Sequence, residues 1–206
     1  MSSVARLEAG FNPHGDLAEF YRGIQIDPIH LYSDPEIAAL ILGIQMNKLR
    51  EEAQEVTEAI DPLHQAEEIT DLAIVAVGVH HLLGNNALGA PNGHVITKDV
   101  LMATHSSAQE SHANGDRDRL GHHLEGLAHI SFGLIEELGY DPQALWRLKH
   151  TVNVTKYDGK LYAALRESGL DHVDAIKALK ASWEERRLAL PQDALAIDMG
   201  TGRLVV

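Results

Sequence analysis

The chain has 206 residues, 45% of them hydrophobic, enough for one sizeable domain with its own core. Its 17 Lys plus Arg stand against 30 Asp plus Glu, a net charge of −13, and no compact basic run offers the phosphate-neutralising surface that a nucleic-acid partner needs. Cysteine is absent, which removes disulfides, zinc–thiolate sites and cysteine nucleophiles; with no signal-like start and no run approaching the roughly 18 apolar residues of a membrane span, a cytoplasmic location without membrane partners is expected.

Apolar residues recur at steps of three and four along most of the chain, which predicts an all-α protein. A short helix is expected over 16–22. A long one follows to about residue 60, with Ser33 or Asp34 as N-cap and Pro35 in its first turn. Asp61 and Pro62 repeat that device and open a third helix, from Leu63 to about Leu83, that stops at Gly84. So short a connection predicts that the second and third helices form a tight antiparallel pair.

The run GNNALGAPNGHVI, 84–96, reads as a turn-rich loop. Helices are then expected over about 98–112 and 116–138, the latter with Leu120, Leu124, Leu127, Leu134 and Leu138 on one stripe. Asp141 and Pro142 open another that ends near Asp158 and Gly159. DHVDAIKALKASWEERRLAL predicts a last helix, and LAIDMGTGRLVV a short hairpin or an extended arm.

The stretch EEAQEVTEAIDPLHQAEEITDL breaks the amphipathic pattern. Glu52 shares a line with Leu49, Val56 and Ile60, with Glu55 flanking it, and Glu68 and Asp71 extend the stripe of Leu72, Val75, Val79 and Leu82. Four carboxylates are therefore expected to point inward and face each other across one helix pair. Desolvation and mutual repulsion disfavour such a group unless a positive charge joins it. A hard divalent cation suits it: Mg²⁺, with Mn²⁺ as a substitute, takes oxygen ligands from carboxylates, water and phosphates. Glu58 and Glu67 read as solvated helix faces, and Glu51, supported by Lys48, stands between the two groups.

EEAQE, Glu51 to Glu55, followed after twelve residues by EITD, Glu68 to Asp71, resembles the E-E-x-x-E then E-x-x-D signature of the MazG-like all-α nucleoside triphosphate pyrophosphohydrolases. That superfamily includes dimeric dUTPases and phosphoribosyl-ATP pyrophosphohydrolases. The resemblance implies a helical bundle built around an antiparallel pair that carries the metal site, and a Mg²⁺ enzyme cleaving a nucleoside triphosphate between its α- and β-phosphates. KHTVNVTKYDG, 149–159, is similar to the family's downstream segment. It implies that Asn153 hydrogen-bonds the substrate while Lys156, with Tyr157, contacts phosphate, and Lys149 is a further candidate. A lysine is a good point charge for phosphate oxygens left uncompensated by the metal, although both lysines also suit the C-terminal turn of their helix. DLAEFYRG is similar to the family's first helix, where an aromatic borders the base: Phe20 or Tyr21, with core packing an alternative for Phe20.

The likeness spans roughly 16–160. Residues 1–160 are read as the pyrophosphohydrolase domain with a helical insertion at about 84–140, and 161–206 as a helix and tail serving assembly. Metal ligands are expected at Glu52, Glu55, Glu68 and Asp71, with Glu51 or Glu52 orienting or deprotonating the attacking water. A homodimer or homotetramer is expected, because two helices with inward carboxylates cannot bury all their apolar surface alone. Two alternatives stay open: cleavage of phosphoribosyl-ATP, or a non-catalytic helical oligomer that only binds metal. The thirteen histidines carry no H-E-x-x-H, E-x-x-H or His-Asp signature, and no phosphate-loop motif occurs.

Overall fold

Three of the chain's four Asp-Pro steps set the phase of the molecule, the fourth, Asp27-Pro28, leading only into a 3₁₀ turn. In the computed structural model, which describes residues 11–89, 96–189, 197–198 and 203–204, the prolines of all three sit at the first positions of helices: α2 (Pro35–Glu58), α3 (Pro62–Leu82) and α6 (Pro142–Lys156). Each aspartate accepts from the first turn, Asp34 from Glu36 N–H, Asp61 from His64 N–H, and Asp141 from Gln143 and Ala144 N–H. These bonds satisfy amides that have no partner within the helix, while proline, lacking an N–H, loses nothing there. The other helices are α1 (Pro13–Gly23), α4 (Lys98–Ala113), α5 (Arg117–Glu137), α7 (Gly159–Glu167) and α8 (His172–Ala189), with a 3₁₀ turn, η1, at Ile29–Leu31. The protein is all-α; beyond the helices lies a two-residue antiparallel ladder between β1 (Ile197–Asp198) and β2 (Arg203–Leu204).

α3 is central because its middle, from Leu72 to Val79, carries no polar side chain. Ala66, Ile69, Leu72, Ala73, Ala76, Val77, Val79 and Leu82 are all buried, and a stretch of helix without a polar face must be surrounded. It packs most extensively on α5 and α2, and also on α1 and α6. α5 is nearly as buried, from Leu124 through Phe132 to Ile135, so the segment between 84 and 140 contributes to the same core as α3. Small residues let these helices approach closely: a side chain at Gly78 would strike the Tyr21 hydroxyl of α1. α3 ends where Gly84 takes φ of 95°, a left-handed turn at which glycine is unstrained.

The helix expected to finish near Asp158 and Gly159 finishes at Lys156, and the pair instead opens α7. Asp158 accepts from the amides of Lys160 and Leu161, so the residue read as a stop is an N-cap. α7 packs on α1 and α8, and α8 also packs on α6, which joins the C-terminal helices to the bundle. No helix among the described residues is long and apolar enough to cross a membrane.

Candidate metal centre

α2 and α3, joined by residues 59–61, pack along each other and bring their acidic positions to one end of the contact. Glu52, Glu55 and Glu68 each present a carboxylate oxygen, and the three oxygens lie within 4.8 Å of one another. Their environments differ. Glu52 is 5% exposed, Glu68 is half-buried and Glu55 is open to solvent, so the group forms a cup at the rim of the bundle; Glu55, expected to point inward, faces outward. One buried carboxylate with two increasingly solvated neighbours suits a cation approached from water.

Each buried member has a cationic or imidazole companion. Lys48 Nζ lies 2.7 Å from Glu52 Oε1 and 3.5 Å from Glu51 Oε2. His64 Nε2 lies 3.2 Å from Glu68 Oε1. Asp71, half-buried beside the trio, accepts from Lys149 Nζ at 2.7 Å across from α6. Five carboxylates thus share two lysines. Burial, and then the charge of Asp71, push the Glu52 carboxyl up to about 7 against the opposing pull of Lys48. Glu68 is raised as well, by burial and by Asp71, with Lys149 working the other way. Burial disfavours the charge of Lys149, but Asp71, Glu67 and Glu68 outweigh it and raise its pKa; Lys48 is raised by the same balance against Glu52, Glu55 and Glu51. Two lysines held more basic than usual beside two carboxyls held less acidic than usual describe a pocket with an excess of negative charge.

The remaining expected residues divide between two faces of α6. Lys149, Asn153 and Lys156 fall at steps of four and three, on one line that begins at Asp71. The neighbouring face of α6, with α1, forms a cleft of about 410 Å³ lined by Glu19, Phe20, His150, Val154 and Tyr157 among others. Tyr157 meets Phe20 edge-on at 5.8 Å, and the Lys156 ammonium stands 5.6 Å from the centre of the Tyr157 ring. Of the two aromatics of the first helix, Phe20 lines this cleft. Tyr21, named for the base, is instead buried in the core, its ring parallel to that of His81 and its hydroxyl above Gly78. A tyrosine needs a glycine opposite it to lie so deep between α1 and α3, and that pairing is invisible in either segment alone.

Lys48 and His64 are the site residues that the acidic pattern by itself does not reveal. Both stand four residues before the carboxylate they touch, so helical spacing was the available signal. Lys149 is expected at phosphate; its bond to Asp71 spans 78 positions of sequence and has no local signal. The chain matches no protein-family model, no curated protein and no solved structure. The resemblance therefore rests on the motif residues and on their spacing.

Proposed function

We propose that the protein hydrolyses a nucleoside triphosphate to the nucleoside monophosphate and pyrophosphate, with a divalent cation held in an antiparallel helix pair of MazG-like type. The observation that carries this reading is the convergence of Glu52, Glu55 and Glu68 from two helices to within 4.8 Å. The donor set fits Mg²⁺, or Mn²⁺ in its place: carboxylate oxygens only, one side open for water and phosphate, and an excess of negative charge. Asp71, outside that trio and paired with Lys149, would be the fourth ligand that the motif implies. The cation supplies charge compensation for the phosphate oxygens and lowers the pKa of a bound water.

The chain's own groups account for the rest. Glu51, beside the trio without belonging to it, or Glu52, takes the proton of the attacking water. Oxygen bonds to the α-phosphorus as the bond from that phosphorus to the bridging oxygen breaks, and pyrophosphate leaves with the electron pair. Asn153 and Lys156, further along the α6 line that starts at Lys149, orient the phosphates and stabilise the charge that develops there. Phe20 and Tyr157 offer flat apolar edges to the base in the adjoining cleft.

A screen of NTPs, dNTPs and phosphoribosyl-ATP with Mg²⁺ or Mn²⁺, reading pyrophosphate, tests the proposal and separates the substrate alternatives. Release from at least one nucleotide, lost in Glu68→Ala and in Asp71→Ala with helicity retained, is the expected result. The two lysine pairs favour a second reading, in which the carboxylates form a structural ion network that takes up a cation without chemistry. That reading gains if Mg²⁺ binds and no nucleotide yields pyrophosphate.

A further inference from the structure

Three side chains in the cleft between α1 and α6 offer hydrogen-bond acceptors only. Glu19 lines it with a carboxylate that pairs with no described residue. Thr151 and Thr155 line it with hydroxyls whose protons go to the α6 backbone: Thr151 Oγ1 donates to Arg147 O at 2.7 Å, and Thr155 Oγ1 to Thr151 O at 2.8 Å. Their oxygens are left with lone pairs. His150 differs. Its Nδ1 is buried without a partner among the described residues, a position that suits a bare nitrogen better than an N–H, so the proton belongs on Nε2. Around these groups the space is bounded. Phe20 and Tyr157, edge-on to each other, form an apolar wall, and α7 starts so close to the end of α1 that a side chain on Gly159 would meet Gly23 O at 2.9 Å. A volume of about 410 Å³ is that of a small-molecule site.

We infer that this cleft selects guanine, with Glu19 as the residue that sets the choice, and that the substrates are guanine nucleoside triphosphates. Among the standard bases guanine alone has two adjacent donors, N1–H and the 2-amino group, on its pairing edge. A carboxylate accepts two parallel N–H groups on its two oxygens, as it does from a guanidinium. Adenine and cytosine place a ring-nitrogen lone pair beside their amino group, and uracil and thymine flank one N–H with two carbonyls. In each of these a lone pair faces the second oxygen of Glu19, and a polar site rejects a ligand that leaves its groups unpaired. The acceptors O6 and N7 of guanine lie beyond its donor edge, where His150 Nε2 is a donor for them. The charge of Glu19 repels phosphate, which leaves that group to the line of Lys149, Asn153 and Lys156 on α6. The assignment of a substrate rests on the proposed function, whereas recognition of the base does not.

Calorimetric titration with nucleoside monophosphates, without metal, reads base recognition apart from turnover. GMP should bind at least about 10-fold more tightly than AMP, CMP or UMP, and IMP, which lacks only the 2-amino group, about 10-fold more weakly than GMP. In Glu19→Gln the side-chain amide offers one acceptor and one donor, so the advantage of GMP over AMP should shrink to about 3-fold or less, with helical circular dichroism unchanged. Equal affinity for GMP and UMP, no binding of any monophosphate, or a full GMP preference in Glu19→Gln would overturn the inference. So would pyrophosphate release with equal kcat/KM from GTP and UTP. Selective GMP binding without pyrophosphate release from any nucleotide would leave the cleft to guanine and count instead against the proposed function.

Discussion

The two ends of α3 handle buried polar groups in opposite ways. Near its start, Glu68 meets Glu52 and Glu55 at a rim open to water, with Lys48 on Glu52 and with Asp71, outside the trio, held by Lys149. About 18 Å further along the helix, His80 meets His14 of α1 inside the core, Nδ1 to Nε2 at 2.9 Å, and both rings are buried. The acidic end concentrates charge that its own lysines do not balance. The histidine end does the reverse: burial, with the neighbouring His80 and His81, lowers His14 to about 4, and burial lowers His80 despite the nearby Glu125. A neutral imidazole pair that hydrogen-bonds internally stabilises the packing of α1 on α3, whereas crowded carboxylates destabilise the fold and are explained by what they bind.

The largest effects should separate these ends by activity. Glu68→Gln keeps the shape but removes the charge, and pyrophosphate release should fall at least about 100-fold, with thermal stability unchanged or higher. His80→Gln should leave kcat within a few-fold while lowering Tm. Equal losses of activity in both would break the contrast. The next effect is metal-linked stability. Mg²⁺ at about 100 times its Kd should stabilise the folded protein by about 2.7 kcal/mol, seen as a rise in Tm, and Glu52→Gln/Glu68→Gln should abolish that rise. Retention of the shift in His14→Gln would place the cation at the acidic end.

Legibility followed the range of the signal. The caps at Asp34, Asp61 and Asp141 and the spacing of Glu52, Glu55 and Glu68 are local, so the sequence displays them and the helices start where the Asp-Pro steps put them. Asp158 is local as well, yet aspartate followed by glycine suits both a turn and an N-cap, and a nine-residue helix with Tyr162 as its buried residue adds too little periodicity to decide. What depends on distant pairing was hidden. The bond from Lys149 to Asp71, the choice of Tyr21 over Phe20 for the core, and the pairing of His14 with His80 each join segments whose meeting is set by packing around α3.

A smaller effect is that of acid. A histidine whose pKa falls from about 6.5 unfolded to about 4 folded binds its proton more readily in the unfolded chain. Its contribution is whole above pH 6.5 and is lost as pH falls toward 4, on the order of 3 kcal/mol if the full shift is realised. Burial also lowers His80 and His81 on α3, so they add to the same loss in acid and broaden it. Glu52 has the opposite sign: its raised carboxyl holds a proton in the folded state, so acidification between about 7 and 4.5 relieves the acidic end. Urea unfolding between pH 7.5 and 4.5 should therefore show a loss that is reduced in His14→Gln and steeper in Glu52→Gln. An unchanged pH slope in His14→Gln would remove the histidine pair from the account.

The smallest effect links the helix to its acidic end. Asp61 accepts the His64 amide at the start of α3, and His64 in turn touches Glu68 one turn later. Asp61→Ala should cost about 1 kcal/mol through the lost cap, while Asp61→Asn should recover most of it, since asparagine caps as well. If the cap only starts the helix, both variants keep wild-type turnover once folded. If it also fixes His64 beside Glu68, Asp61→Ala loses a few-fold in kcat that Asp61→Asn restores. Assays at a temperature where both variants are fully folded distinguish the two, because the stability term is then absent and the position of His64 alone differs.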